Sequence, residues 1–255
     1  MNRELIALLM SLIAGMATLL GSFIIFFTNG KNEKILSICL GLACGVMISV
    51  SFWDLYTSGV ESLSIKFDER IASLIAILAF VLGVILSALL DHFVPHDIDE
   101  HHNHEHKDLY RLGFFSLIAI ALHNFPEGIA TYASSINDIE LGLSIMLAIA
   151  LHNIPEGIVV AIPIYYSTKK KTKAIFYTFL SGISEFVGAL LAFLILGPFI
   201  SDALLGFLLA FVAGLMVYIA LEELLPESRQ YGYSRLALWA MFIGIILMPL
   251  THVII

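Results

Sequence analysis

The hexapeptide His-Asn-x-Pro-Glu-Gly occurs twice in the chain, at His123–Gly128 and at His152–Gly157, 29 residues apart. Chance duplication of so rare a string is negligible. Within each copy the histidine and glutamate are four residues apart, so on a helix they project from one face and can clamp one cation. The asparagine beside each histidine offers a neutral oxygen. The proline removes a backbone N–H and presses on the carbonyl four residues earlier, which predicts freed oxygens at Leu122 and Leu151 and a kink in each helix. The glycine after each glutamate leaves room for a close neighbour or an ion. A further carboxylate, Glu185, stands alone in a later apolar run.

Two imidazoles, three carboxylates and two amides make a borderline set of nitrogen and oxygen donors. Such a set suits Zn²⁺, Fe²⁺, Mn²⁺ or Co²⁺ better than Na⁺ or Ca²⁺, which take oxygen alone, or Cu⁺, which takes thiolate or thioether. The three glutamates carry more negative charge than one divalent ion neutralises, which points to two cations, or one cation with a retained proton. A polar network that only held helices together would be served by serine or asparagine, without buried carboxylates.

These residues need elements that can hold them, and the composition says which. Of 255 residues, 59% are hydrophobic and 13% charged, against about 45–50% and about 25% in soluble domains. One core cannot hide that much apolar surface from water, whereas a bilayer can solvate the outside of a helical bundle. Nucleic-acid binding is excluded by the formal net charge of −8, because phosphate recognition needs a basic face.

Eight apolar stretches are long enough to span hydrocarbon, running approximately Leu5–Phe27, Ile35–Tyr56, Ile71–Leu90, Leu112–Ala133, Ile139–Tyr166, Ala174–Ile200, Ala203–Leu221 and Leu236–Ile255. No period-two alternation suggests a barrel, and the connections are short. The expected fold class is therefore all-α: one polytopic membrane domain over residues 1–255, an eight-helix bundle with a lipid bilayer as its partner. The first stretch is too long for a signal-peptide core and no small-x-small cleavage site follows it.

Ten of the 13 basic residues, namely Lys31, Lys34, Lys107, Arg111, Lys169, Lys170, Lys171, Lys173, Arg229 and Arg235, fall on one side of this arrangement. The positive-inside rule makes that side cytoplasmic and puts both termini outside a multi-pass cytoplasmic-membrane protein. His123 and Glu185 each lie 11 residues into their expected spans and His152 lies 13 into its own, which is about 16–20 Å from a face. Ionisable groups near the midplane cost about 2.5–3.5 kcal/mol each on insertion scales, so they mark function.

At these residues the chain resembles the ZIP family of divalent-metal transporters, and within it the bacterial ZupT-like branch. The resemblance extends over all eight helices. It implies a binuclear site at mid-membrane, with His123, Asn124, Glu127, His152, Asn153, Glu156 and Glu185 around the metals and the fourth- and fifth-helix glutamates bridging them. More loosely, it implies Met47 and Asp54 as a thioether ligand and an outer entrance group, and Met216, Glu222 and Glu223 as an inner exit path. Seven residues separate Met47 from Asp54 and Met216 from Glu223, two turns of a regular α-helix, so each pair is expected on one stripe. Phe186 stands where ZupT-like sequences often have proline, and the H-E-x-P-H-E string of the animal LIV-1 branch is absent.

His92, His96, His101, His102, His104 and His106 are six of the nine histidines and are interleaved with acids across residues 91–110. They read either as a solvated loop or as a cytoplasmic metal-capture loop without one fixed geometry. Cys39 and Cys44 are five apart, about 140° around a helix, and read as packing residues. His252 is a lone imidazole in the last span and reads as structural or interfacial. Gly41 and Gly45 form G-x-x-x-G, which marks close helix packing within one chain or in a homodimer.

The expected function is import of Zn²⁺, with Fe²⁺, Mn²⁺, Co²⁺ and Cd²⁺ as further candidates, by alternating access and without an organic cofactor. The rival reading is an intramembrane zinc hydrolase with Glu127 or Glu156 as general base. The duplicated motif and the absence of H-E-x-x-H speak against it, so no catalytic residue is expected.

Overall fold

The computed structural model describes residues 3–27, 32–93, 104–196 and 201–254. Eight long helices carry nearly all of them: α1 (Arg3–Phe26), α2 (Glu33–Ser64), α3 (Glu69–Phe93), α4 (His104–Asn137), α5 (Ile139–Thr168), α6 (Lys171–Ile195), α7 (Asp202–Arg229) and α8 (Ser234–Ile254). By length and composition, seven of these can cross a bilayer among the described residues, and the apolar part of α8, Ser234–Leu250, is shorter. The eight-helix expectation therefore matches the architecture.

Side chains suited to helix starts set the turns. Asn32 Oδ1 accepts from the Ile35 N–H, Asp68 Oδ1 from Arg70 and Ile71, Asp138 Oδ1 from Glu140, and Ser201 Oγ from Leu204. Each satisfies one, and Asp68 two, of the donors that an α-helix leaves unpaired at its start. Between α4 and α5 the turn is the single residue Asp138. Between α5 and α6 it is Lys169, at φ 58°, and Lys170.

The helices run longer than their apolar cores indicated. Helix α2 continues through Ser64 and α7 through Arg229, while α4 begins at His104. Polar helical turns thus extend beyond the hydrocarbon-length stretches, because hydropathy marks lipid contact while capping and packing set where the helix stops. Among the described residues three π-helical turns occur, at Val50–Tyr56 in α2, at Ala192–Leu196 where α6 ends, and at Ile219–Leu224 in α7. Pro126 and Pro155 lie inside helices that continue through them, so each motif is carried on one unbroken helix.

The bundle divides into two groups. Helices α1, α4, α5 and α6 pack on one another, and so do α2, α3, α7 and α8. Glycines set both groups. A Cβ at Gly45 would lie 2.8 Å from the Met241 carbonyl carbon, and one at Gly214 would lie 2.9 Å from that of Phe80. These near contacts bring α2 against α8 and α7 against α3. The Gly41/Gly45 pair is therefore engaged within the chain, on α8.

The largest buried core lies along the seam between the groups. It combines Leu36, Leu40 and Met47 of α2 with Leu112 and Ile120 of α4, Val159 and Ile162 of α5, and Val212 and Met216 of α7. The outer faces are apolar as well: Leu74, Leu78 and Leu82 on α3, and Trp239, Ile243 and Ile246 on α8, are exposed. Such stripes are costly in water and cost nothing against acyl chains.

Candidate metal centre

Asp138 forms a near-symmetric hairpin of α4 and α5, and the hairpin sets the site. His123 lies 15 residues before Asp138 and His152 lies 14 after it. At about 1.5 Å per residue the two imidazoles reach the same level, about 21–23 Å from the turn. Because the helices are antiparallel, Glu127 falls on the turn side of the histidines and Glu156 on the far side. The order along the pair is Glu127, His152, His123, Glu156.

The contacts follow that ladder. Glu127 Oε1 lies 3.1 Å from His152 Nε2 and 3.3 Å from His123 Nε2. His123 Nε2 is also 3.4 Å from Glu156 Oε1. The imidazole rings are 6.2 Å apart between centroids, so neither stacks on the other. His123, Glu127 and His152 present three ligand atoms within 4.8 Å of one another, which brackets the space a single cation needs.

The same counting places Glu185. Asn153 lies 16 residues before Lys169 and Glu185 lies 15 after Lys170, so the α5–α6 turn brings them level. Asn153 Nδ2 donates to Glu185 Oε2 at 2.9 Å and to the Ala14 carbonyl of α1 at 3.0 Å. Asn124 Nδ2 donates to the Ser181 carbonyl of α6 at 3.2 Å. Both amide groups thus tie neighbouring helices together through nitrogen, which leaves their oxygens without a protein donor.

All seven residues that carried the sequence argument are buried, none more than 3% exposed. Their remaining donor atoms are unsatisfied: Asn124 Oδ1, Glu127 Oε2, Asn153 Oδ1, both Glu156 oxygens and Glu185 Oε1 have no hydrogen-bond partner. Orphaned buried carboxylate oxygens are expensive in a dry interior. A divalent cation is the group that would satisfy several at once, and the mix of imidazole nitrogen and carboxylate oxygen is the chemistry zinc takes.

The glycines that close each motif serve helix packing. A Cβ on Gly128 would lie 2.7 Å from the Glu185 carbonyl carbon, and one on Gly157 would lie 2.8 Å from that of Thr18. Each glycine therefore lets a neighbouring helix approach directly beside a ligand candidate. Gly15 acts similarly from α1, since a Cβ there would lie 3.1 Å from Glu185 Cβ. Sequence reasoning missed Ala14, Gly15 and Ser181. The signal available was the run of small residues along α1, with Ala14, Gly15, Ala17, Thr18 and Gly21 all buried.

A family model described as ZIP zinc transporter matches residues 97–251. The chain belongs to the ZIP zinc-transporter family. Along nearly its whole length it is similar to zinc transporters ZupT. It is 40% identical to that of Oceanobacillus iheyensis over 98% of both chains. It is also 40% identical to that of Clostridium perfringens, over 98% of this chain and 96% of the relative. To the Campylobacter jejuni protein it is 37% identical, over 96% and 95%. These relatives are named as transporters and not as enzymes, and the hydrolase reading finds no support.

Within this ZIP chain the looser pathway expectations fare differently. Met47 and Met216 are fully buried in the seam core. Asp54 and Glu223 lie inside the π turns Val50–Tyr56 and Ile219–Leu224, so the regular α-helical spacing behind the expected stripes from Met47 to Asp54 and from Met216 to Glu223 does not apply. A π turn takes more residues than an α turn, so seven residues no longer return to the same face. Glu222 is exposed, and Glu223 pairs with Arg111 at 3.4 Å. His92 is exposed at the end of α3, and the backbones of His104 and His106 lie in the first turn of α4. The histidine-rich segment is thus partly helical. His96, His101 and His102 lie outside the described residues, as does the side chain of His252. Cys39 and Cys44 are free thiols, and Cys44 Sγ donates to the Ala220 carbonyl at 3.1 Å, a packing role.

Proposed function

We propose that this protein imports Zn²⁺ through the buried site formed by His123, Asn124, Glu127, His152, Asn153, Glu156 and Glu185. The carrying observation is Glu127 Oε1 held between two histidine nitrogens at 3.1 and 3.3 Å in a site sealed from solvent. A structural network would satisfy its own polar atoms, whereas this one leaves carboxylate and amide oxygens unpaired around a shared space. The ZupT relatives are named zinc transporters, which favours zinc as cargo. Fe²⁺, Mn²⁺, Co²⁺ and Cd²⁺ are further candidates by ligand chemistry.

In this reading one ion sits among His123, Glu127 and His152, and Glu156 and Glu185 with the two asparagine oxygens take a second. Three carboxylates balance two divalent cations better than one. The cation sheds its water as imidazole and carboxylate replace it, and release follows when the site changes exposure. The division into α1/α4/α5/α6 and α2/α3/α7/α8 supports rigid-body movement of one group against the other, because the site residues all belong to the first. The basic rim of Lys169, Lys170, Lys171 and Lys173 faces the cytoplasm, with both termini outside. Asp54 on one side and Glu222 and Glu223 on the other mark the path.

Uptake of Zn²⁺ into proteoliposomes tests this. Glu127→Ala and Glu156→Ala are expected to reduce flux to the protein-free background, and wild-type-like flux in both overturns the assignment. Equilibrium zinc binding counts the ions, with two per chain expected.

A further inference from the structure

Among the described residues, Arg111 joins the two helix groups at their basic-rim end. It leaves α4, the helix that carries His123 and Glu127, and reaches α3 and α7 of the other group. Its Nη2 pairs with Asp91 Oδ1, and its Nη1 lies 3.4 Å from Glu223 Oε1. Tyr218 of α7 donates its hydroxyl to Asp91 Oδ2 at 3.3 Å. The three charged side chains are only 11–19% exposed, so the pairs are well shielded from water. Arg111 lies 12 residues from His123 on the same helix, about 18 Å along its axis. Any displacement of α4 against α3 and α7 is therefore felt at this guanidinium.

We propose that Arg111 is a positioning residue for transport: its fork onto Asp91 and Glu223 latches the metal-carrying helix group to the other one and opens once in each cycle. This rests on the transport reading above for its purpose, though not for its geometry. A guanidinium suits the task because it holds two carboxylates on different helices in a fixed plane, which a lysine cannot do. Withdrawal of Arg111 breaks both pairs together and leaves Asp91 and Glu223 exposed to whatever cation passes them.

The test is a double-mutant cycle on the full-length protein, read by amide hydrogen exchange at the end of α3 and the start of α4. D91N, which loses one shielded pair, is expected to raise exchange there by about tenfold, R111Q, which loses both, by at least as much, and the double variant no further than R111Q alone. Multiplication of the two factors in the double variant overturns the latch. In proteoliposomes both variants are expected to change the maximal rate of Zn²⁺ uptake at least about threefold while leaving half-saturation and equilibrium zinc binding unchanged. A purely structural contact would leave that maximal rate per folded molecule untouched, and that result also overturns the proposal. If R111Q does not fold, R111K, which keeps the charge but cannot span two carboxylates on different helices, reads the same cycle with D91N. Loss of zinc transport by wild-type protein refutes the transport reading alone, since the exchange coupling needs no metal.

Discussion

Replacement of Gly128 by alanine adds one methyl group beside the proposed site and alters no ligand. The added Cβ would stand 2.7 Å from the Glu185 carbonyl carbon and 3.1 Å from the Ala189 nitrogen. Carbon atoms settle at about 3.5–4.0 Å, and the Glu185 carbonyl oxygen stands nearer to the added Cβ than the carbonyl carbon does, so α4 and α6 must part by at least about 1 Å. The obstacle is backbone, and trimming a side chain on α6 cannot relieve it. The Asn124 hydrogen bond to the Ser181 carbonyl, at 3.2 Å, spans the same two helices and would stretch to about 4 Å, beyond hydrogen-bond range. Overpacking of this kind costs about 1–3 kcal/mol of stability. For zinc the consequence is larger, because ligand distances must hold to about 0.2 Å and loss of a supporting contact alone lowers metal affinity about 10–100-fold. Gly128→Ala is therefore expected to bind Zn²⁺ at least about tenfold more weakly by equilibrium dialysis, to lose most uptake, and to unfold at lower temperature while remaining helical by circular dichroism. Wild-type affinity and flux in a folded Gly128→Ala protein would refute the claim that close α4–α6 packing positions the ligands.

Asn153→Ala removes the amide that bonds both Glu185 and Ala14. It leaves the carboxylate buried without a donor, and is expected to cost about 1–3 kcal/mol in denaturant unfolding; an unchanged midpoint would contradict the role assigned to that bond. Acid should weaken zinc binding, because a protonated imidazole cannot ligate and both His123 and His152 must be neutral. Affinity measured from pH 7.5 down to 5.5 is expected to fall as protons compete, by up to about a hundredfold per pH unit for two protons, and a flat profile would remove the histidines from the ligand set. Gly45→Leu drives a side chain into the Met241 backbone of the same chain. It should impair folding, whereas a stable variant altered only in oligomeric state by sedimentation would show that Gly45 faces another copy.

The sequence was most legible where chemistry and periodicity coincide. His123, Asn124, Glu127, His152, Asn153, Glu156 and Glu185 could be singled out as candidates from type and spacing, and all seven are buried, because ionisable and amide groups in an apolar helix must face the protein interior. The helix count was equally plain, since each crossing needs its own apolar length. Helix ends were less legible, and the extra turns of α2, α4 and α7 reflect caps and contacts that hydropathy does not register. The stripes joining Met47 to Asp54 and Met216 to Glu223 failed for a different reason. Nothing local in Val50–Tyr56 or Ile219–Leu224 announces a π turn, and a seven-residue rule assumes none.

By itself, then, the sequence determined the solvent, the helices, the candidate donor set and the shared level of its members along the helix pair, because hydropathy, helical rise and ligand chemistry are properties of short segments. Tertiary structure decided what those donors touch. It placed Glu127 between two histidines, turned the asparagine nitrogens outward to Ser181 and Ala14, and set the glycine of each motif against a neighbouring backbone. It engaged Gly41 and Gly45 on α8, and carried Arg111 across the seam to Asp91 and Glu223. Each of these joins residues far apart in the chain, and only the packing of whole helices fixes which faces meet.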